Sequence, residues 1–259
     1  MKKLLGFCLA LVLTLTSLTA WAADTGKLQE IAQRGELLVG TTGDYKPMSY
    51  LDKATGKYEG FDTEAASLLA QALNVKVRFV PTTWSKLTQD TLDGKFDLAM
   101  CGITRTFARE KVVNLSKGYL VFGKTILVRK ADAGKYKTLT DLNKPAVRVM
   151  VNPGGTNEKF AKANLPKATL IVHPQNAEIP GLIAAGKADV MITETMEARR
   201  YVRDNNKLAA PLVNAPFTKN NFGIMMKKGD QDFLNFVNLW MEEVQFNGTL
   251  DQLEAKYIK

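Results

Sequence analysis

Residues 147–163 read VRVMVNPGGTNEKFAKA. The first five, Val147–Val151, form an apolar β-like run; Asn152-Pro153-Gly154-Gly155-Thr156 turns the chain; Asn157–Ala163 is helix-like. A strand that feeds a helix through a tight glycine turn begins a βα unit. Downstream the alternation repeats, with Leu170–His173 as strand, Ile179–Ala185 as helix, Val190–Thr193 as strand and Glu194–Val202 as helix. Upstream it occurs again: strand Glu36–Thr42, helix Asp62–Leu73, strand Val75–Val80, helix Ser85–Leu92 and strand Phe96–Met100. In Asp62–Leu73 the helical spacing puts Ala65, Ala66, Leu68, Leu69, Ala72 and Leu73 on one face. A long strand, Leu120–Arg129, separates the two series, and a strand Phe222–Lys227 precedes a helical tail from Gln231, broken at Asn247-Gly248.

Repeated βα units predict an α/β protein of two lobes, each a mostly parallel sheet flanked by helices. Ligands of such sheets bind beyond the carboxyl ends of the strands. The loops after Thr42, Val80, Met100, Val151, His173 and Thr193 are therefore expected around one interlobe cleft.

Composition narrows the chemistry. With 46% hydrophobic and 24% charged residues, the 259-residue chain can bury a sizeable core. Its formal charge of +9 is spread singly and in pairs among acids, which does not make a nucleic-acid stripe. One histidine and two cysteines leave too few ligands for a structural zinc site and no base for a Ser–His or Cys–His pair. No metal or cofactor is expected. Residues 1–22 have a positive start, a short apolar middle from Leu4 to Leu13, and small residues at Ala20 and Ala22. That is the pattern of a secretory signal peptide. Its removal takes away Lys2 and Lys3 and no acid, lowering the charge from +9 to +7 and leaving Cys101 without a disulfide partner. The mature chain is expected to be exported and not membrane-embedded.

Several groups belong to the cleft loops. The Gly154-Gly155-Thr156-Asn157 turn offers helix N-terminal amides and a hydroxyl to a carboxylate or phosphate, or is simply a tight turn; it lacks the nucleotide-binding glycine spacings. Arg109, after Thr104 and Thr106, presents either a planar fork for a carboxylate or a solvated helix charge. Trp84 and Tyr45 could form an aromatic wall or lie in the core. Glu194 and Glu197 are three apart at a helix start, where they serve the helix dipole, bind a ligand ammonium, or, in a dry pocket, supply a general acid.

These residues carry a resemblance. From Gly35 onward the chain resembles the type II periplasmic solute-binding proteins of amino-acid ABC importers, in which two lobes joined by two crossovers close on the ligand. The resemblance implies a division into residues 1–22 (signal peptide), 23–120 (first lobe), 121–216 (second lobe) and 217–259 (return to the first). Thr104 and Thr106 leading to Arg109 look like the family's carboxylate-binding element, and Glu194 stands where amino-acid binders usually carry an aspartate for the α-amino group. A narrower similarity is to the cyclohexadienyl dehydratase branch, through residues 41–47, 81–84, 151–161, 172–174 and 186–189. It implies Glu197 as catalytic general acid, with Tyr45, Trp84, Thr104, Arg109, Gly155, Thr156, Asn157, Lys159, His173 and Glu194 binding substrate. Residues 121–126, 177–180 and 220–225 depart from that branch, and residues 220–225 read more like those of a transport receptor. The implied ligand is a small carboxylate (prephenate, arogenate or an amino acid), with an ABC permease as partner if the chain is a receptor.

Overall fold

The computed structural model describes residues 26–259; residues 1–22, the expected signal peptide, lie outside the described residues. Two five-stranded sheets organise the chain. In the first the order is Lys76–Pro81, Glu36–Thr41, Leu98–Ala99, Met225–Met226, Asn114–Leu115. In the second it is Thr169–Val172, Arg148–Val151, Val190–Glu194, Lys124–Arg129, Leu208–Ala209. In each, the first three strands pair in parallel. The other two pair antiparallel. The sheets are thus half parallel rather than mostly so. Met225–Met226 and Lys124–Arg129 each enter a sheet from the other lobe rather than through a βα crossover, so the right-handed parallel rule does not bind them.

Both faces of the second sheet are covered, which is why its strands are apolar without alternation. Ile126, Val128, Val149, Val151, Val190 and Ile192 pack on one side. Leu127, Met150 and Met191 pack on the other with Ile179, Ile183 and Tyr201. In the first lobe the helix Phe61–Ala72 buries Phe61, Ala65, Ala66, Leu69 and Ala70. Ala72, expected on that face, is exposed because the inward stripe runs through Ala70. Burying a side chain such as Leu69 is worth roughly 1.5–3 kcal/mol.

The expected strand Leu120–Arg129 is interrupted at Gly123, where a Cβ would stand 2.0 Å from the Thr218 carbonyl oxygen. Before the break, Val121–Phe122 pairs antiparallel with Asn220–Asn221 as a separate two-stranded ribbon. The two passages of the chain between lobes therefore run side by side. Phe122 and Phe222 stack across them with ring centroids 3.9 Å apart. The expected strand Phe222–Lys227 shrinks to Met225–Met226, since Phe222 is used in a bridge to Thr104. A meander of Asp44–Tyr45, Ser49–Asp52 and Lys57–Glu59 had no signal in the sequence; its strands are too short and polar to alternate.

Asp62 is fully buried at the start of its helix, with no cation beside it among the described residues. It accepts bonds from the Tyr119 hydroxyl (2.7 and 2.9 Å) and the Gly102 amide (2.5 Å). Burial pushes its pKa up to about 7, against those hydrogen bonds. The unfolded chain ionises near the ordinary value of 3.8, so the native state holds the extra proton between the two. Stability is thereby lost as pH rises through that window, and the loss is complete above about 7. Asp62→Asn keeps an acceptor for both donors and cannot ionise. Its stability relative to the parent, from urea unfolding at a series of pH values, is expected to rise from pH 4 to 7 and then level off; a pH-independent difference would refute this.

Candidate functional site

The carboxyl ends of the six parallel strands converge between the lobes, and each of the loops that follow them contributes to one cavity. Tyr45, Trp84, Gly102 and Thr104 come from the first lobe; Asn152, Gly155, Thr156, Asn157, Asn176 and Glu194 come from the second. The cavity measures about 20 Å³, room for about one water. The lobes are closed on each other. Across the gap the Tyr45 hydroxyl donates to Glu194 Oε2 (2.9 Å), Asn176 Nδ2 to the Asp44 carbonyl (3.2 Å), and the Thr104 and Thr156 hydroxyls lie 3.3 Å apart. Tyr45 meets the Trp84 ring edge-on at 5.8 Å, and Trp84 Nε1 donates to Asp44 Oδ1 at 2.9 Å.

Glu194 ends its strand and stands at the N-cap of the helix Thr195–Asp204, but its side chain does not cap. It takes the Lys124 ammonium on Oε1, and Tyr45 and the Asn157 amide (3.4 Å) on Oε2. Lys124 also bonds the Thr156 hydroxyl (2.7 Å) and Asn157 Oδ1. Three ammonium protons thus meet three acceptors in a buried ion pair. Burial depresses the Lys124 pKa, and Glu194 opposes that shift.

Glu197 is completely buried and lies behind the cavity wall rather than in it. Its Oε1 accepts from Asn176 Nδ2 at 2.8 Å, and Thr193 Oγ1 donates to Oε2. Burial raises its pKa well above the ordinary glutamate value, and the neighbouring Glu194 charge adds to the rise; the bonds from Thr193 and Asn176 only moderate it. The arrangement places a carboxyl group of raised pKa one residue from the cavity.

Arg109 also stands behind the wall. Its Nη1 donates to the Thr104 carbonyl (2.8 Å), and its amide is capped by the Thr106 hydroxyl (3.2 Å). Burial lowers its pKa, opposed by charges that include Glu194. Lys159 and His173 do not reach the cavity. Asn157 and Ala161 mark the inward face of the helix Thr156–Asn164, and Lys159, about 200° round from Asn157, is exposed. His173 follows an edge strand and turns outward, with Nε2 2.9 Å from Glu178 Oε2. Sequence reasoning assigned no role to Lys124 or Asn176. A lysine inside the apolar run Leu120–Val128 was a usable signal; Asn176, in a polar loop, gave none.

Gly154 sets how closely the lobes approach. Its φ is +79°, and a Cβ there would stand 2.5 Å from Ser85 Cα, backbone of the opposite lobe. Its amide donates to Glu158 Oε2 at 2.7 Å. Gly154→Ala is expected to hold the lobes apart and weaken ligand binding at least tenfold, with little loss of cooperative unfolding. Small-angle scattering would read the wider particle; an unchanged radius with unchanged affinity would refute it.

Two α/β lobes, a paired crossover and one polar interlobe cavity define a two-lobed small-molecule binding protein. The comparisons agree: residues 37–259 match the model for bacterial extracellular solute-binding proteins, family 3, and the chain belongs to that family. It is 39% identical to the cyclohexadienyl dehydratase of Pseudomonas aeruginosa, over 95% of this chain and 89% of the relative. It is 30% identical to the L-cystine-binding protein of Escherichia coli, over 91% and 87% of the two chains. Among solved structures, an ancestral amino acid-binding protein, a precursor of cyclohexadienyl dehydratase, superposes with a TM-score of 0.84 at 43% identity, over 90% of this chain and 99% of that one. No helix among the described residues is long and apolar enough to cross a membrane.

Proposed function

We propose that the chain is a periplasmic dehydratase that converts prephenate, and arogenate with it, to the aromatic product with loss of water and carbon dioxide. The observation that carries this reading is Glu197: a fully buried carboxyl, its pKa raised, one amide away from the cavity. The 39% identity to a cyclohexadienyl dehydratase supports it. The chemistry asks little else of the protein. Glu197 gives its proton to the leaving ring hydroxyl, which departs as water. The ring carboxylate leaves as carbon dioxide, its bonding electrons complete the aromatic ring, and the Glu197 carboxylate is reprotonated from solvent. Arg109, the Gly155–Asn157 segment and the Lys124 ammonium supply positive potential for the substrate carboxylates. Lobe closure excludes water, and the burial raises the pKa of the acid. In this reading residues 1–22 export the chain, and the lobes divide at 23–120, 121–216 and 217–259.

A second reading, a receptor that delivers a small carboxylate or amino acid to an ABC permease, is favoured by the paired crossover ribbon and by the relationship to the cystine-binding protein. One experiment separates them. Purified residues 23–259 are mixed with prephenate, and phenylpyruvate is followed by its ultraviolet absorbance in alkali. Turnover supports the enzyme; saturable prephenate or amino-acid binding without product supports the receptor.

A further inference from the structure

Asn176 is 2% exposed, lines the cavity and has a carbonyl oxygen without a hydrogen-bond partner among the described residues. Its orientation is determined by its neighbours. The Asp44 carbonyl can only accept a hydrogen bond, so the amide atom 3.2 Å from it is nitrogen. The same nitrogen bonds Glu197 Oε1 at 2.8 Å. Oδ1 is left as a buried acceptor in the wall of the site, and an acceptor stripped of water and unpaired is costly unless a donor completes it.

The geometry points to Asn176 Oδ1 as the group that accepts the ring hydroxyl's proton when substrate is bound, a positioning contact that turns the hydroxyl's lone pairs toward Glu197. A hydroxyl has one hydrogen to donate and two lone pairs to offer. With its hydrogen held on Oδ1, it lies beside the carboxyl that the same amide already grips through Nδ2, and the oxygen that must take the acid's proton is presented to it. As water leaves, the bond to Oδ1 persists and only the Glu197 proton moves.

The inference rests on the dehydratase reading. Titration calorimetry with the Glu197→Gln protein compares prephenate with an analogue whose ring hydroxyl is replaced by hydrogen. Prephenate is expected to bind about tenfold more tightly. Adding Asn176→Ala should make the two ligands bind alike. Retained cooperative urea unfolding of the double variant, together with unchanged affinity for the deoxy analogue, controls for loss of folding at the alanine. Equal binding of the two ligands by the Glu197→Gln protein, or a preference that survives Asn176→Ala, overturns the assignment and leaves the dehydratase reading standing. Failure of both the parent and the Glu197→Gln protein to bind prephenate removes that reading, and the assignment with it.

Discussion

Glu197→Gln is expected to slow prephenate turnover by ~10²–10⁴-fold, the usual contribution of a positioned general acid. Gln is nearly isosteric: its Oε1 can still accept from Asn176 Nδ2, and its Nε2 can donate to the Thr193 hydroxyl, which accepts where it donated to the native carboxyl. Folding and prephenate affinity should therefore change little, and the loss should fall on kcat rather than KM. The pH profile makes a separate test. The acid is active protonated, and burial with the Glu194 charge raises its pKa. Parent activity should be retained from mildly acidic pH up to that raised pKa and fall above it; residual activity of the Gln variant should lack the limb. Full activity in the variant would show that the proton comes from elsewhere.

Lys124→Met carries the largest expected effect on stability. It removes the only cation bonded to Glu194 among the described residues and leaves a 4%-exposed carboxylate with two weaker donors, Tyr45 and Asn157. Breaking one side of a buried pair typically costs ~3–5 kcal/mol, because the remaining charge has no compensation. Urea unfolding at neutral pH would read that loss directly. Pairing the change with Glu194→Gln should recover most of it, since the second substitution removes the stranded charge. A single variant within about 1 kcal/mol of the parent would mean that the pair contributes little net stability.

How much was legible from the residues followed from length and periodicity. Val190–Glu194, buried throughout, and Arg148–Val151 announce themselves as apolar runs next to turn signals. The two-residue pairings that set the lobe geometry, Val121–Phe122 with Asn220–Asn221 and Met225 with Leu115 and Ala99, carry no such pattern. Their partners are remote in sequence and their spans too short for alternation to register. The site divides in the same way. Tyr45, Trp84, Thr104, Gly155, Thr156, Asn157 and Glu194 sit at or shortly after the ends of strands, and the sheet topology brings them together in one cavity wall. Arg109 and Glu197 lie one layer behind it, a distinction that strand-end logic cannot draw. Lys159 and His173 share those loops but face solvent, because a residue's place in a loop does not fix the direction of its side chain. Lys124 and Asn176 owe their importance to partners 70 and 21 positions away, which only the folded chain supplies.

The half-buried Trp84 gives the molecule an optical property. The other described tryptophan, Trp240, is 8% exposed in the first-lobe core and should emit steadily whatever the lobes do. Trp84 lines the cleft, with its indole nitrogen bonded to Asp44 and Tyr45 against its edge. When the lobes part, its surroundings change from a protein wall to water. Opening and closing should therefore appear as a red and blue displacement of intrinsic emission on a constant background, so that the unlabelled protein reports its own ligand occupancy in a stopped-flow fluorimeter.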